Sequence, residues 1–260
     1  MATLNGSKIN RLMYIQPPGV VLTSHWLGRQ GYSAELLRTY RNSHWLQAIG
    51  NGAMVRRNDS VDYTGAIYAL QNQLNLSVHQ GAKTALALAG KSHYLSLGEN
   101  VVYLFGSKKE CLPLWFKNYD WGVEWQYVAS GFLPAGLGMI EKEMRNYVVS
   151  ISSPARAFME CLYLAPHKQD LKECFEIMEG LNNLNPVGVQ ELLMHCTSVK
   201  VKRLFLYLAQ KAGHMWFKHL NLSKIDLGSG NRSVVENGVY IPDFRITVPK
   251  NLVPDESEGL

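Results

Sequence analysis

The sequence predicts an α+β protein. Three features point there. Two capped helices joined by a glycine turn precede a hairpin near the N-terminus. Short apolar runs then alternate with helical periodicity, and the last stretch is a series of helices ending in strands. These features divide the 260 residues into segments 1–57, 58–152 and 153–260. Hydrophobic residues are 47% of the chain and charged residues 18%, enough apolar surface for a core and unlike a disordered chain.

In the first segment, Asn5 to Tyr14 forms a helix, because Ile9, Leu12 and Met13 recur at i, i+3 and i+4. Pro17-Pro18-Gly19 ends it, since proline cannot continue the hydrogen-bond ladder. The short apolar run Val20-Val21-Leu22 leads to Thr23, whose hydroxyl suits an N-cap, with Leu22 and Leu27 spaced as a hydrophobic staple. The second helix spans Ser24 to Gln30 and stops at Gly31. Ser33 caps the third, Ala34 to Ser43, with Tyr32 and Leu37 as its staple. Trp45 to Ile49 and Ala53 to Val55 then pair around Gly50-Asn51-Gly52 as a hairpin. Helix, short turn, helix and hairpin together make a winged helix-turn-helix, a motif that docks on duplex DNA.

The third helix has two faces. Ala34, Leu36, Leu37 and Tyr40 turn to the core, while Glu35, Arg38, Arg41 and Asn42 lie opposite and are the candidate base readers. Arginine suits guanine edges and asparagine adenine edges, and Arg38 and Asn42 stand one turn apart. Thr23 and Ser33 at the helix starts, with Arg29, Arg56 and Arg57, are the candidate phosphate contacts, which set register rather than sequence preference.

Residues 58–152 read as mixed α/β. A helix covers Val61 to Leu74, a strand Leu76 to His79, a small-residue helix Ala82 to Ala89 and a buried strand Val101 to Phe105. Pro113 to Trp125 is aromatic and irregular, and further strands cover Gln126 to Ala129 and Arg145 to Ile151. Residues 153–260 open on Ser153-Pro154, an N-cap followed by proline at the first helical position. Helices over 154–164, 169–181, 187–197 and 199–212 predict a bundle, with a short addition at Trp216 to Leu220. Strands over Ile225 to Leu227, Ser233 to Glu236 and Val239 to Val248 give a terminal β-hairpin.

Net charge is +5, unevenly spread. Residues 1–57 hold seven basic side chains against Glu35, and residues 192–225 hold six with no acid, so the remainder is acidic. Two basic islands suggest a polyanion touched at two places, and Lys200, Lys202, Arg203 and Arg232 are the candidates for a second DNA contact. Cys111, Cys161, Cys174 and Cys196 have no metal-ligand spacing and read as reduced core thiols. The eight histidines are scattered. No metal, cofactor or catalytic residue is assigned, since no paired carboxylates, nucleophile motif or kinase-like loop stands out. Gly81-Ala82-Lys83-Thr84 reads as a structural helix start, and Gly228-Ser229-Gly230-Asn231-Arg232 as a turn without the P-loop lysine. No apolar run approaches the roughly 18 residues of a membrane helix, and no secretory h-region opens the chain, which predicts a cytoplasmic protein without membrane contact.

Further stretches carry a family likeness: Trp45 to Gly52, His79 to Leu86, Ser153-Pro154-Ala155-Arg156-Ala157, Lys202-Arg203-Leu204-Phe205, Asp226 to Arg232 and Ile246-Thr247-Val248-Pro249. In this order they resemble the AbiEi antitoxins of bacterial type IV toxin–antitoxin, or abortive-infection, systems that act in phage defence. The resemblance implies an N-terminal winged helix that represses its own operon at promoter inverted repeats, and a C-terminal part with antitoxin activity. It also implies a nucleotidyltransferase-like toxin as partner, opposed without a necessary stable complex. A two-fold operator implies a monomer in solution or a dimer on DNA. The wing turn departs from the family, with Asn51 where a basic residue often sits between the glycines, so Arg56 and Arg57 are left to compensate. The alternative reading is a ligand-sensing winged-helix transcription factor without a toxin partner. An enzyme acting on the toxin lacks any catalytic constellation.

Overall fold

The computed structural model describes residues 8–91 and 101–253. The chain forms two compact units: residues 1–79, 104–129 and 141–150 make the first, and residues 80–103, 130–140 and 151–260 the second. Each is assembled from segments that are not consecutive, so the boundary expected at residue 57 falls inside the first unit.

The chain begins with α1 (Lys8–Ile15), β1 (Leu22–Thr23), α2 (Ser24–Arg29), α3 (Ala34–Asn42), β2 (Leu46–Gly50) and β3 (Ala53–Arg56). The strands form a sheet of order β1-β3-β2, with β3 antiparallel to both neighbours. Leu12, Val20, Leu22, Leu27, Tyr32, Leu37, Tyr40, Leu46 and Met54 close one apolar core beneath it. This is the winged helix expected from the two staples and the glycine turn. α4 (Tyr63–Asn72) belongs to the same unit. Beyond its last turn, the amide of Gln73 is fully buried, accepting from the Thr23 backbone at 2.8 Å and donating to the Val21 carbonyl at 2.7 Å.

Next come β4 (His79–Gln80), α5 (Ala82–Leu88), β5 (Val102–Gly106), α6 (Leu114–Asn118), β6 (Trp125–Ala129), β7 (Met139–Glu143) and β8 (Val148–Ser152). Their strands form a five-stranded sheet of order β6-β5-β4-β8-β7. The expected strand over 76–79 shrinks to its last residue plus Gln80. β7 was not expected. It is an edge strand carrying Glu141, Lys142 and Glu143, charges that hide a strand signal while discouraging edge pairing. The aromatic stretch expected to be irregular contains the short helix α6.

The second unit is organised by α7 (Pro154–Leu164), which packs against α5, α8 (Leu171–Glu179), α9 (Pro186–His195) and α10 (Val199–Lys211). Ser153 caps α7 as expected, with proline at its start. Within it, the fully buried Glu160 pairs with Arg156 at 2.9 Å, accepts from Ser152 and accepts from the backbone of Ala82 at the start of α5. That carboxylate occupies the amide which an anion would need, and Lys83 pairs with Glu173, so the Gly81-to-Thr84 stretch is a structural helix start.

The tail holds β9 (Arg232–Ser233), β10 (Val239–Ile241) and β11 (Ile246–Val248), with β10 antiparallel and β9 parallel to β11. The expected single strand 239–248 is split by a 3-10 turn at Pro242–Phe244, and 225–227 is not a strand. Cys161, Cys174 and Cys196 are buried, whereas Cys111 is exposed, which corrects its reading as a core thiol. Among the described residues no helix is long and apolar enough to cross a membrane.

Candidate nucleic-acid interface

The first unit presents α3 by capping it and burying one stripe. The Ser33 hydroxyl accepts from the Leu36 backbone at 3.2 Å, and Thr23 accepts from Trp26 at 3.4 Å. These bonds satisfy helix-start amides that would otherwise lack partners. Leu37 and Tyr40 enter the core, which turns Glu35, Arg38 and Asn42 to solvent, with Arg41 half-buried beside them. All four expected base readers therefore share the outer side of one helix. Arg41 also lines an open depression of about 690 Å³ with Ser24, Gly28, Ser33, Asn51 and Gly52, so helix starts and wing tip border one concavity.

The phosphate candidates separate. Ser33, Arg29 and Arg57 are exposed, although the Arg29 guanidinium also donates to the Gln73 carbonyl at 2.8 Å. Thr23 is only 2% exposed and its oxygen is spent on the cap, so its assignment to phosphate is corrected. Arg56 is corrected too. Its guanidinium is buried against the carbonyls of Leu12, Met13 and Gln16 and pairs with Asp59 at 3.6 Å. It closes the C-terminal end of α1, where a cation meets unpaired carbonyls and the negative end of the dipole. Burial pushes its pKa down.

The second basic island is largely internal. Arg203 is fully buried and donates to the carbonyls of Leu227, Gly228, Gly230 and Arg245. Lys202 is 4% exposed, and Lys200 donates to the carbonyls of Tyr163 and Ala165. Burial lowers the pKa of both Arg203 and Lys200. These three lysine and arginine assignments to DNA are corrected, because Lys200 and Arg203 commit their charges to backbone carbonyls inside the fold and Lys202 is buried. Arg232 alone of that set is exposed. Charge counting along a sequence cannot separate a solvated lysine from one that ties a loop.

One neighbour of the wing was missed. Trp115 of α6 lies against β2 so closely that a Cβ on Gly50 would stand 2.8 Å from the Trp115 Cβ. Its trace in the sequence is Gly50, which the wing backbone also requires with its φ of 158°. Among the described residues no group of three or more metal-ligating side chains is assembled.

Comparison with known families places both parts of the chain. Residues 5–97 match the family model described as the N-terminal domain of the AbiEi antitoxin transcriptional regulators. Residues 99–249 match the model described as transcriptional regulator, AbiEi antitoxin, type IV toxin–antitoxin system. No curated protein matches the chain. Among solved structures, the RV2827C protein from Mycobacterium tuberculosis shares the fold at a TM-score of 0.55 and 13% identity, over 92% of this chain and 89% of that one.

Proposed function

The chain belongs to the AbiEi antitoxin family of type IV toxin–antitoxin systems, a family of transcriptional regulators, and from that premise we propose that it represses its own operon by binding promoter inverted repeats while opposing a nucleotidyltransferase-like toxin. The observation that carries the DNA half is the capped helix α3, held by its apolar stripe with Arg38 and Asn42 facing solvent. In this reading Arg38, Arg41, Asn42 and Glu35 meet base edges in the major groove, and Ser33, Arg29 and Arg57 meet phosphates. Two protomers, monomeric in solution, occupy the two half-sites.

A mobility-shift titration of the full chain tests the repressor role. The duplex carrying the inverted repeats upstream of its own gene is retained over a scrambled duplex, and affinity falls steeply with salt. Arg38→Ala removes roughly 1–3 kcal/mol of discrimination at particular bases. Equal affinity for both duplexes overturns this reading. For the antitoxin role, co-expression with the product of the adjacent reading frame restores growth, and persistent arrest overturns it.

A further inference from the structure

The wing tip is Gly50-Asn51-Gly52, with no charge to offer a phosphate. Arg56, which follows it, is turned inward. Within the same compact unit, α6 is fastened to the wing. The Trp115 Cα would be 3.0 Å from a Cβ at Gly50, so the approach of α6 adds to the φ of 158° in requiring glycine there. α6 is held in turn by an aromatic cluster: Phe116 packs on Trp121 and Trp125 with ring centroids 5.5 and 5.3 Å apart, and the Trp121 indole donates to the Phe116 carbonyl at 2.8 Å. With Trp115 and Phe116 buried, the remaining face of α6 shows Leu114, Lys117 and Asn118 to solvent.

We propose that α6 extends the DNA interface beyond the wing, with Lys117 supplying the backbone-phosphate contact that the wing tip lacks. This rests on the reading that the first unit binds duplex DNA. Lys117 is two residues from Trp115, about 3 Å along the helix axis and on the opposite, solvent-facing side of α6, so its flexible four-carbon stem starts about one helix diameter from Gly50 and extends outward from there. Each strand of B-DNA offers a phosphate roughly every 3.4 Å of axis, so a wing seated on one groove wall brings neighbouring phosphates within reach of this ammonium. Among the described residues Lys117 forms no ion pair. Nearby Glu110 is taken by the Ser77 backbone and hydroxyl, and Asp120 by the Gly122 amide, while Glu124 is exposed.

The test is a salt titration of binding by the full chain to the promoter duplex and to a scrambled duplex. Lys117→Ala weakens both about 3- to 10-fold and lowers the slope of log affinity against log salt by about one, and Lys117→Glu weakens both further. Lys172→Ala, at an exposed lysine paired with Glu176 on α8, changes neither quantity. Unchanged affinity and slope in both Lys117 variants, with wild-type preference for the promoter intact, overturns the inference and leaves the DNA-binding reading standing. Failure of the wild-type chain to bind either duplex overturns both.

Discussion

Three arginines of one sequence show how a single residue type takes opposite roles. Arg38 stands exposed on α3 with its guanidinium free for a base edge. Arg56 and Arg203 are buried and wrapped in backbone carbonyls. Arg203 is the larger investment, since four carbonyls from the segment 227–245 converge on it. Removing it leaves buried acceptors without donors, each costing about 1–3 kcal/mol. Arg203→Met is therefore expected to lower unfolding stability by roughly 3 kcal/mol or more in urea titration. Arg203→Lys rescues little, because one ammonium cannot match a planar fork of donors. A stability change below about 0.5 kcal/mol would refute that role.

At the scale of elements, boundaries followed local chemistry wherever the chemistry was local. The Thr23 and Ser33 caps and the Gly31 stop put α2 and α3 within a residue of expectation, and Ser153-Pro154 did the same for α7. The cap bond also matters energetically. Ser33→Ala should cost about 1 kcal/mol, read as a lowered urea midpoint. Ser33→Asp should retain most of that stability, since its carboxylate also accepts from a helix-start amide and suits the helix dipole. Elements set by partners were less legible. β7 has the composition of a surface loop and becomes a strand by pairing with β8. The run 239–248 has strand propensity throughout, yet it breaks at Pro242–Phe244, and Arg245 adopts a left-handed φ of 49° with its carbonyl held by Arg203.

For the whole molecule, burial of proton-bearing groups sets a stability limit on the alkaline side. Burial pushes the Cys161 and Cys174 thiols up from an ordinary 9.0, and Cys196 to about 11. Burial, reinforced by Glu110 and Cys111, pushes Tyr127 up from 10.0 to about 12. For each such group the folded state holds its proton longer than the unfolded state. Its contribution is complete below the unfolded value and is lost as pH rises towards the folded one. Lys200, Arg56 and Arg203, whose values are lowered by burial, oppose this, but they are fewer than the raised thiols and tyrosines. The urea midpoint is expected to stay level from about pH 7 to 8.5 and to fall above about pH 9. A midpoint still level at pH 11 would contradict that balance. The interleaving of the two units also governs how the chain is dissected. A cut after residue 57 strips the winged helix from Gln73, whose buried amide bonds belong to it.

By itself the sequence determined the winged helix, the capped α3 with its polar outer side, and the helices of the C-terminal part. Caps, staples, glycine stops and apolar periodicity all act within a few residues of one another, so they can be read along the chain. Only the tertiary structure decided which charges meet solvent. Arg56, Lys200, Lys202 and Arg203 belong to basic runs in the sequence, yet each is drawn inward, most of them by carbonyls or a carboxylate, and burial is a property of neighbours in space. The same holds for α6, some sixty residues from the wing in the chain and against it in the fold, where the missing side chain of Gly50 makes room.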